Sequence, residues 1–335
     1  MCVTDKTKRH LVFGVNSRGR KISGRLVVGI VSFNSGHLLK QCLDCLAVQT
    51  RRPDEIRIYD NASTDPETLK YLGLLNSCNV TIGPKNIGYG AALNRIASDL
   101  EAGDYLFCLN PDAYVESDCL ENLMASVSRY PEAGSYAPLM LSATNSDLID
   151  DAGDELHCSG NAWQRWFGKP VDSVVMYEEP IFGPCGGACL LRVEAFLRVG
   201  GFDESYFLFV EDTDLGLRLQ LAGFKCWFIP EARVRHHRSA LTGFQSELSV
   251  SLTHRNTLWM MLKNFPLWFL PVALIMHLLV LFMLTIQMLT RGQSKILWMA
   301  KWEALRSLPA VWRCRTKVIR ELGAWQFLRL LRWMR

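Results

Sequence analysis

The first 24 residues, Met1 to Gly24, are polar and basic and contain no apolar stretch, so no secretory signal is visible. The chain has no GxxxxGK[ST] phosphate loop and no GxSxG nucleophile elbow, which argues against a P-loop NTPase and an α/β-hydrolase. Gly88 and Gly90 lie close together, but no third glycine follows at the dinucleotide spacing and the segment opens no first strand–helix turn, which weakens a nicotinamide-cofactor reading. No unit of roughly 20–50 residues repeats. Cys42-Leu-Asp-Cys45 has no second pair to complete a zinc site, and the eleven cysteines lack framework spacing. Cys108 and Cys226 sit inside apolar runs and read as small core residues of a reduced, cytosolic body. A net charge of +4 over 335 residues argues against a general nucleic-acid binder.

That charge is unevenly divided. Residues 291–335 hold eleven Lys/Arg against two acids, a net of +9, which leaves 26 Lys/Arg against 31 acids, a net of −5, in residues 1–290. An acidic body with a basic tail predicts a phosphate-rich partner at one end. With 49% apolar residues there is ample material for a core.

Leu26–Phe33 is an apolar run rich in β-branched residues and predicts a buried strand of a parallel sheet. Strands are expected over Glu55–Asp60, in NVTI, over Asp104–Asn110, near Ser135–Leu141, from Gly183 to Leu191 and in KCWFIP ending at Pro230. Helical spacing falls between them, with Pro66 near the first turn of one helix. Alternation of this kind predicts a doubly wound sheet whose ligands bind beyond the carboxyl ends of the strands. The stretch from Ser142 to Pro180 is weakly patterned. Residues 267–290 contain no formal charge and are long enough to cross a hydrocarbon core of about 30 Å.

Carboxylates collect at the expected sheet edge. Asp60 closes one strand, Asp112 follows another, and Glu211-Asp212 open a helix. Any one of them could merely cap a helix or complement its dipole, as Glu211 does in this reading. Together they provide what a nucleotide, a divalent metal and a general base require.

Read in series, VSFN (Val31–Asn34), DNASTD (Asp60–Asp65), NIGYGAALN (Asn86–Asn94), LNPDA (Leu109–Ala113), GGACLLRVEAFLRVGGFDE (Gly186–Glu204), FVEDTDLGLR (Phe209–Arg218) and VRHHRS (Val234–Ser239) resemble the family-2 inverting glycosyltransferases. They are most similar to bacterial rhamnosyltransferases of cell-wall or O-antigen assembly. The resemblance implies an α/β GT-A fold with a doubly wound, mostly parallel sheet. It implies a loose N-terminus over 1–24, a catalytic domain over 25–245 with a nucleotide-sugar half (25–141) and an acceptor half (142–245), and a helical, membrane-associating region over 246–335.

By position, the resemblance assigns Ser32, Phe33, Asn34 and Asp60 to the nucleotide. It assigns Asn86, Gly88 and Asn94 to the nucleotide-sugar site and Gly186, Gly187 and Ala188 to the donor or acceptor wall. Asp212 is the implied general base, with Glu211 beside it. Asp112 and His236 are the implied ligands of Mg²⁺ or Mn²⁺, although the first position of the metal motif is Asn110, whose amide brings no charge. The alternative for His236 is a surface histidine in a basic cluster. Implied partners are a nucleotide-diphosphate sugar (best matched by dTDP-rhamnose), a lipid-linked glycan acceptor and the cytoplasmic face of the inner or plasma membrane, with no nucleic acid and with homo-oligomerisation open.

Two other classes compete with this reading. A nucleotidyltransferase would want a Gly-rich basic loop after the first strand, where Asn34-Ser35-Gly36-His37 stands. An inactive, membrane-tethered relative would not need to keep Asp60, Asp112, Asp212 and His236. Processive synthases carry a Gln-x-x-Arg-Trp motif that Trp163-Gln-Arg-Trp166 does not match, so addition of a single sugar is expected. For the apolar run, Pro266, Pro271, His277, Gln287 and the following Trp-rich stretch favour a re-entrant or interfacial anchor over a crossing that would put the basic tail on the far side.

Overall fold

A computed structural model describes residues 24–238 and 246–333. Residues 1–23 of the expected loose N-terminus, and the expected boundary at residue 245, lie outside the described residues. The apolar run near the start forms β1 (Leu26–Ser32), with every residue buried. It is followed by α1 (Gly36–Ala47), β2 (Glu55–Asp60), α2 (Pro66–Leu72), β3 (Asn79–Ile82), α3 (Tyr89–Ile96), β4 (Tyr105–Leu109), β5 (Ala113–Val115), α4 (Cys119–Arg129) and β6 (Ala133–Ser142). Leu39, Cys42, Leu43 and Leu46 form the buried stripe of α1. Asp65 caps α2 by accepting from the Thr68 N–H at 2.8 Å, with Pro66 in the first turn where its missing donor costs nothing. The ten described cysteines are unpaired.

The weakly patterned stretch forms short strands β7 (Ile149–Asp151), β8 (Asp154–His157), β9 (Ala162–Gln164) and β10 (Glu179–Ile181). Then come β11 (Ala188–Arg192), α5 (Val193–Arg198), α6 (Glu211–Leu221) and β12 (Lys225–His236). The sheet runs β10-β12-β6-β11-β4-β1-β2-β3, with β5 on β12 and β7 on β6. β1 lies parallel to β2 and β4, β3 parallel to β2, and β12 parallel to β6. The sheet is therefore mixed and mostly parallel, because β11 runs antiparallel to both β4 and β6 at its centre. α1 and α4 cover one face, and α3, α5 and α6 the other.

Two details place functional residues. Reversal of β11 sets its start beside the carboxyl end of β4, where the Asn110 N–H donates to the Gly187 carbonyl at 2.9 Å. The strand expected to stop at Pro230 continues to His236, with its register slipping between Ile229 and Arg233. A proline cannot donate to a ladder, and a bulge absorbs the interruption without ending the strand.

The C-terminal region comprises α7 (Glu247–Asn264), α8 (Leu270–Thr290), α9 (Ser294–Arg306), α10 (Leu308–Cys314), α11 (Ala324–Leu330) and β13 (Leu331–Arg332), the last parallel to β8. Met261, Phe265 and Phe327 share a core with Tyr206, Leu217 and Leu221 of the sheet-bearing part. Among the described residues, α8 alone is long and apolar enough to cross a membrane. Its buried positions, Leu270, Ala273, His277, Leu281 and Met288, form one stripe along its length. His277 Nδ1 donates to the Ser159 carbonyl at 2.8 Å. The opposite face, including Leu278, Phe282, Met283 and Ile286, is exposed.

α6 and α7 are joined by a buried charge cluster. Asp214, fully buried, accepts from Arg218 Nε (2.7 Å), Asn264 Nδ2 (2.7 Å) and the Tyr206 hydroxyl (2.9 Å), and pairs with Lys263 at 2.7 Å. Burial alone would raise its pKa, but the charges of Arg218 and Lys263 outweigh that and hold it well below the usual carboxylate range. Its stabilising contribution is therefore fully present above about pH 4 and is lost as pH falls below that. Asp214→Ala leaves two buried cations without their carboxylate and should cost about 3–5 kcal/mol, read as a lowered urea midpoint at neutral pH. A loss below about 1 kcal/mol would show that the cluster does not hold α6 to α7.

Candidate active site

The carboxyl ends of β1 and β4, the loop after β2, the approach to β11, the N-terminus of α6 and the end of β12 meet at one sheet edge. There they border a cleft of about 670 Å³. Phe33, Asn86, Gly88, Asn110, Asp112, Gly186, Gly187, Glu211, Asp212 and His236 line it.

Ser32, Asn34, Asp60, Asn94 and Ala188 do not line it and serve its walls. Ser32 is buried against Ser35, with the two hydroxyl oxygens 2.7 Å apart. Asn34 takes a positive φ of 50° and its Oδ1 accepts from Thr64 and Asp65. Asp60 is fully buried, accepting from the Ser63 N–H at 2.9 Å and the Ser63 hydroxyl at 2.5 Å. Asn94 turns away to bond both main-chain groups of Phe202, at 2.9 Å each. Ala188 packs in the core within β11.

At one end of the cleft, antiparallel pairing sets His236 opposite Ala113 and so next to Asp112. His236 Nε2 is 3.5 Å from Asp112 Oδ1, too far for a good hydrogen bond, and is buried without a hydrogen-bond partner. Its Nδ1 is 2.8 Å from Asp150 Oδ2, and Asp150 also meets Arg238 at 3.3 Å. Burial opposes a charge on His236, but Asp112 and Asp150 outweigh it and lift the pKa to about 9. A carboxylate behind the imidazole and an unpartnered nitrogen in front form the usual arrangement of a metal-binding histidine. Among the described residues no three His, Cys, Asp or Glu side chains cluster around one metal position. Asp112 and His236 thus fit a divalent cation whose remaining ligands come from a substrate or water. Asn110, at the head of the turn, anchors its main chain to Gly187.

At the other end, Asp212 accepts the Gly186 N–H through Oδ2 at 2.8 Å and the Thr213 N–H through Oδ1 at 2.7 Å. The Thr213 hydroxyl adds a longer contact to Oδ1 at 3.4 Å, and of the carboxylate's about four lone-pair directions one remains. Glu211 is buried with Oε2 unpartnered, and burial together with the charge of Asp212 pushes its pKa well up. It stands in the first turn of α6, beside Asp212. The preceding loop is strained, with φ of 66°, 66° and 70° at Phe207, Phe209 and Val210. Asn256 Nδ2 holds it through the carbonyls of Tyr206, Leu208 and Phe209 at 3.0, 2.9 and 2.8 Å. Gly88 touches the same loop, where a Cβ would lie 2.2 Å from the Phe207 oxygen. Only glycine fits that approach.

Several lining residues were not singled out from the sequence. Asn61, next to Asp60, accepts from the Ile87 N–H at 2.8 Å and lies in a motif that already pointed to it. Tyr89 donates to the Gly186 carbonyl at 2.5 Å. Asp154, Trp163 and Gln164 lie in the weakly patterned stretch, and Arg238 lies in the VRHHRS motif beside His236. Burial, with the charges of Asp151 and Asp212, raises the Asp154 carboxyl strongly. Ser249, Thr253 and His254 of α7, and Leu284, Gln287 and Met288 of α8 with Arg291 just beyond it, close the remaining wall.

The family model described as Glycosyl transferase family 2 matches residues 27–200, and that described as the N-terminal domain of galactosyltransferase matches residues 173–240. The N-acetylglucosaminyl-diphospho-decaprenol L-rhamnosyltransferase of Mycobacterium tuberculosis (strain ATCC 25618 / H37Rv) is 32% identical over 257 residues, covering 69% of this chain and 82% of the relative. The rhamnosyltransferase WbbL of Escherichia coli (strain K12) is 31% identical over 150 residues, covering 40% of this chain and 52% of the relative. The solved structure of GalNAc-T7 with UDP, GalNAc and Mn2+ shares the fold with a TM-score of 0.58 at 20% identity, over 72% of this chain and 48% of that one. The mixed sheet with its reversed central strand is thus a GT-A-like fold, and the chain belongs to glycosyltransferase family 2.

Proposed function

We propose that the enzyme transfers one rhamnosyl residue from dTDP-rhamnose to a hydroxyl of a lipid-linked glycan, with inversion at the anomeric carbon, at the cytoplasmic face of the membrane. The observation that carries this reading is that Asp112, His236 and Asp212, distant in the chain, line one cleft. The kinship with rhamnosyltransferases supports the choice of sugar.

Phe33, Asn61 and Asn86 receive the nucleotide in this reading, and Asp60 shapes the Asn61–Ser63 loop. Asp112 and His236 hold Mg²⁺ or Mn²⁺ against the donor diphosphate. Such a cation, when bound, stabilises the negative charge that the departing diphosphate acquires. Asp212, steadied by Gly186 and Thr213, takes the proton of the acceptor hydroxyl as its oxygen bonds to C1 and the bond from C1 to the diphosphate oxygen breaks. Glu211, its pKa raised by burial and by the charge of Asp212, stands beside it.

The membrane part of the reading rests on α8. Leu270, Ala273 and His277 pack on the core shared with the catalytic body, and Leu281 and Met288 pack against Val250 of α7 and Leu297 of α9, so protein covers one face of the helix, which suits a helix lying in the interface better than one crossing away from that body. Trp298, Trp302 and Trp312 are exposed near Arg306 and Arg313, and suit an anionic headgroup layer.

Asp212→Asn keeps the shape and removes the base. It should leave dTDP-rhamnose binding near that of the unaltered protein and lower turnover by about 10²–10⁴-fold. Asp112→Ala, or excess EDTA with the unaltered protein, should abolish transfer. Full turnover in EDTA, or an Asp212→Asn protein that loses donor binding without selective loss of turnover, would count against these roles. Phe282→Glu combined with Ile286→Glu, on the exposed face of α8, should lower co-flotation with anionic vesicles by at least about tenfold, since each such side chain contributes about 1.5–3 kcal/mol on burial. Unchanged flotation would remove α8 from the membrane contact.

A further inference from the structure

Beside the base the cleft has a second carboxyl group that the transfer step described above does not use. Asp154 opens β8, which belongs to a separate three-stranded sheet in the order β13-β8-β9. It lines the cleft and is 6% exposed. Its N–H donates to the Gly183 carbonyl at 2.8 Å, and Gly183 lies against Gly216 of α6. Its carboxyl group meets the Thr213 hydroxyl, which also lies 3.4 Å from Asp212 Oδ1. The next residue, Glu155, braces the strand. Arg332 of β13 places Nε and Nη2 at 3.0 and 2.7 Å from Glu155 Oε1, and Trp163 Nε1 donates to Glu155 Oε2 at 2.9 Å.

Stability does not account for a carboxyl group at this place. Burial opposes its charge, Asp151 and Asp212 oppose it further, and the Thr213 hydroxyl and Arg238 offset them only in part. Glu211 lines the same cleft, is also 6% exposed, and has no hydrogen-bond partner for Oε2 among the described residues. A buried acceptor that the protein leaves open is satisfied by what enters the cleft. Carboxyl oxygens next to the base accept from hydroxyl groups and repel anions, so this wall suits the uncharged, hydroxylated ring of a sugar and not a phosphate.

We propose that Asp154 determines acceptor specificity: it takes a second hydroxyl of the acceptor sugar while Asp212 takes the proton of the hydroxyl that attacks C1. The proposal rests on the transferase reading given above and adds to it the residue that selects the acceptor ring. A ring gripped at two hydroxyls cannot turn about the attacking one, so that oxygen stays directed at C1, and such orientation contributes to rate.

The test measures kcat/KM with dTDP-rhamnose for a short-chain N-acetylglucosaminyl-diphospho-prenol and for its analogues deoxygenated singly at C3, C4 and C6. Nuclear magnetic resonance of the parent product identifies the hydroxyl that is glycosylated, and the analogue lacking it is set aside. With the unaltered protein, one remaining analogue should fall about 10- to 100-fold below the parent, the loss expected where a buried carboxyl group is left without its hydroxyl partner. Asp154→Ala should lower the parent by a similar factor and that analogue by less than about twofold, since both changes remove the same contact. KM for dTDP-rhamnose should change by less than about twofold. Asp154→Asn, which keeps the shape and an acceptor oxygen, should recover part of the loss. Neither variant should lower the thermal midpoint, because the group is held there against burial and like charge. Equal rates on the parent and both remaining analogues, an Asp154→Ala loss of the same size on every acceptor, or an equal rise in donor KM would each overturn the contact while leaving the transferase reading in place. No transfer from dTDP-rhamnose to any of these acceptors by the unaltered protein would overturn that reading and the contact with it.

Discussion

A carboxylate with no access to water, Asp214, ties the two parts of the active site together. It is compensated by Arg218 on its own helix and by Lys263 and Asn264 on α7. A buried ion cluster of this kind adds little net stability compared with an apolar core, but breaking it is costly, so it enforces one geometry. Two turns of chain follow from that geometry. The N-terminus of α6, carrying Glu211 and Asp212, is fixed at the sheet edge. α7 is held so that Asn256 can reach three carbonyls of the strained loop before it. The strain at Phe207, Phe209 and Val210 is sustained because α7, Gly88 and Asn256 leave the loop no alternative.

The sheet supplies the other half of the site. Parallel strands β1 and β4 bring their carboxyl ends, and β2 the loop that follows it, to one side of the cleft. The reversed central strand, β11, brings a glycine pair to the same edge, where the Gly186 N–H orients Asp212 and the Gly187 carbonyl holds Asn110. The far end of β12, pairing with β5, closes the edge with His236. Asp112 and His236 on one side and Asp212 on the other therefore line the same cleft, and His236 and Asp212 are each braced from behind, His236 by Asp150 and Asp212 by two main-chain amides.

Much of this was legible beforehand. The continuous apolar runs at Leu26–Ser32 and Tyr105–Leu109 could only be strands buried on both faces, and the motifs around Asn86, Asn110 and Asp212 pointed to one edge. What was not legible depends on partners remote in the chain. Nothing local distinguishes β11 as antiparallel, since direction is set by how the chain returns from the segment before it. Pro230 reads as a strand end because the bulge that tolerates it needs β6 alongside. Asp60 and Asn94 carry the right chemistry but are consumed by Ser63 and Phe202, which no spacing rule reveals. The stripe by which α8 packs against the rest of the protein is hidden in the sequence by an opposite face that is equally apolar, so hydropathy alone does not reveal which positions are buried. His254 and Arg291 have no motif around them, and only the packing of α7 and α8 brings them to the cleft.

The most direct test of the central claim, single displacement at C1 with Asp212 as base, is the anomeric configuration of the product. Nuclear magnetic resonance of the glycoside formed from dTDP-rhamnose should give an anomeric configuration opposite to that of the donor. Retention would require a covalent or front-face route and would contradict the account.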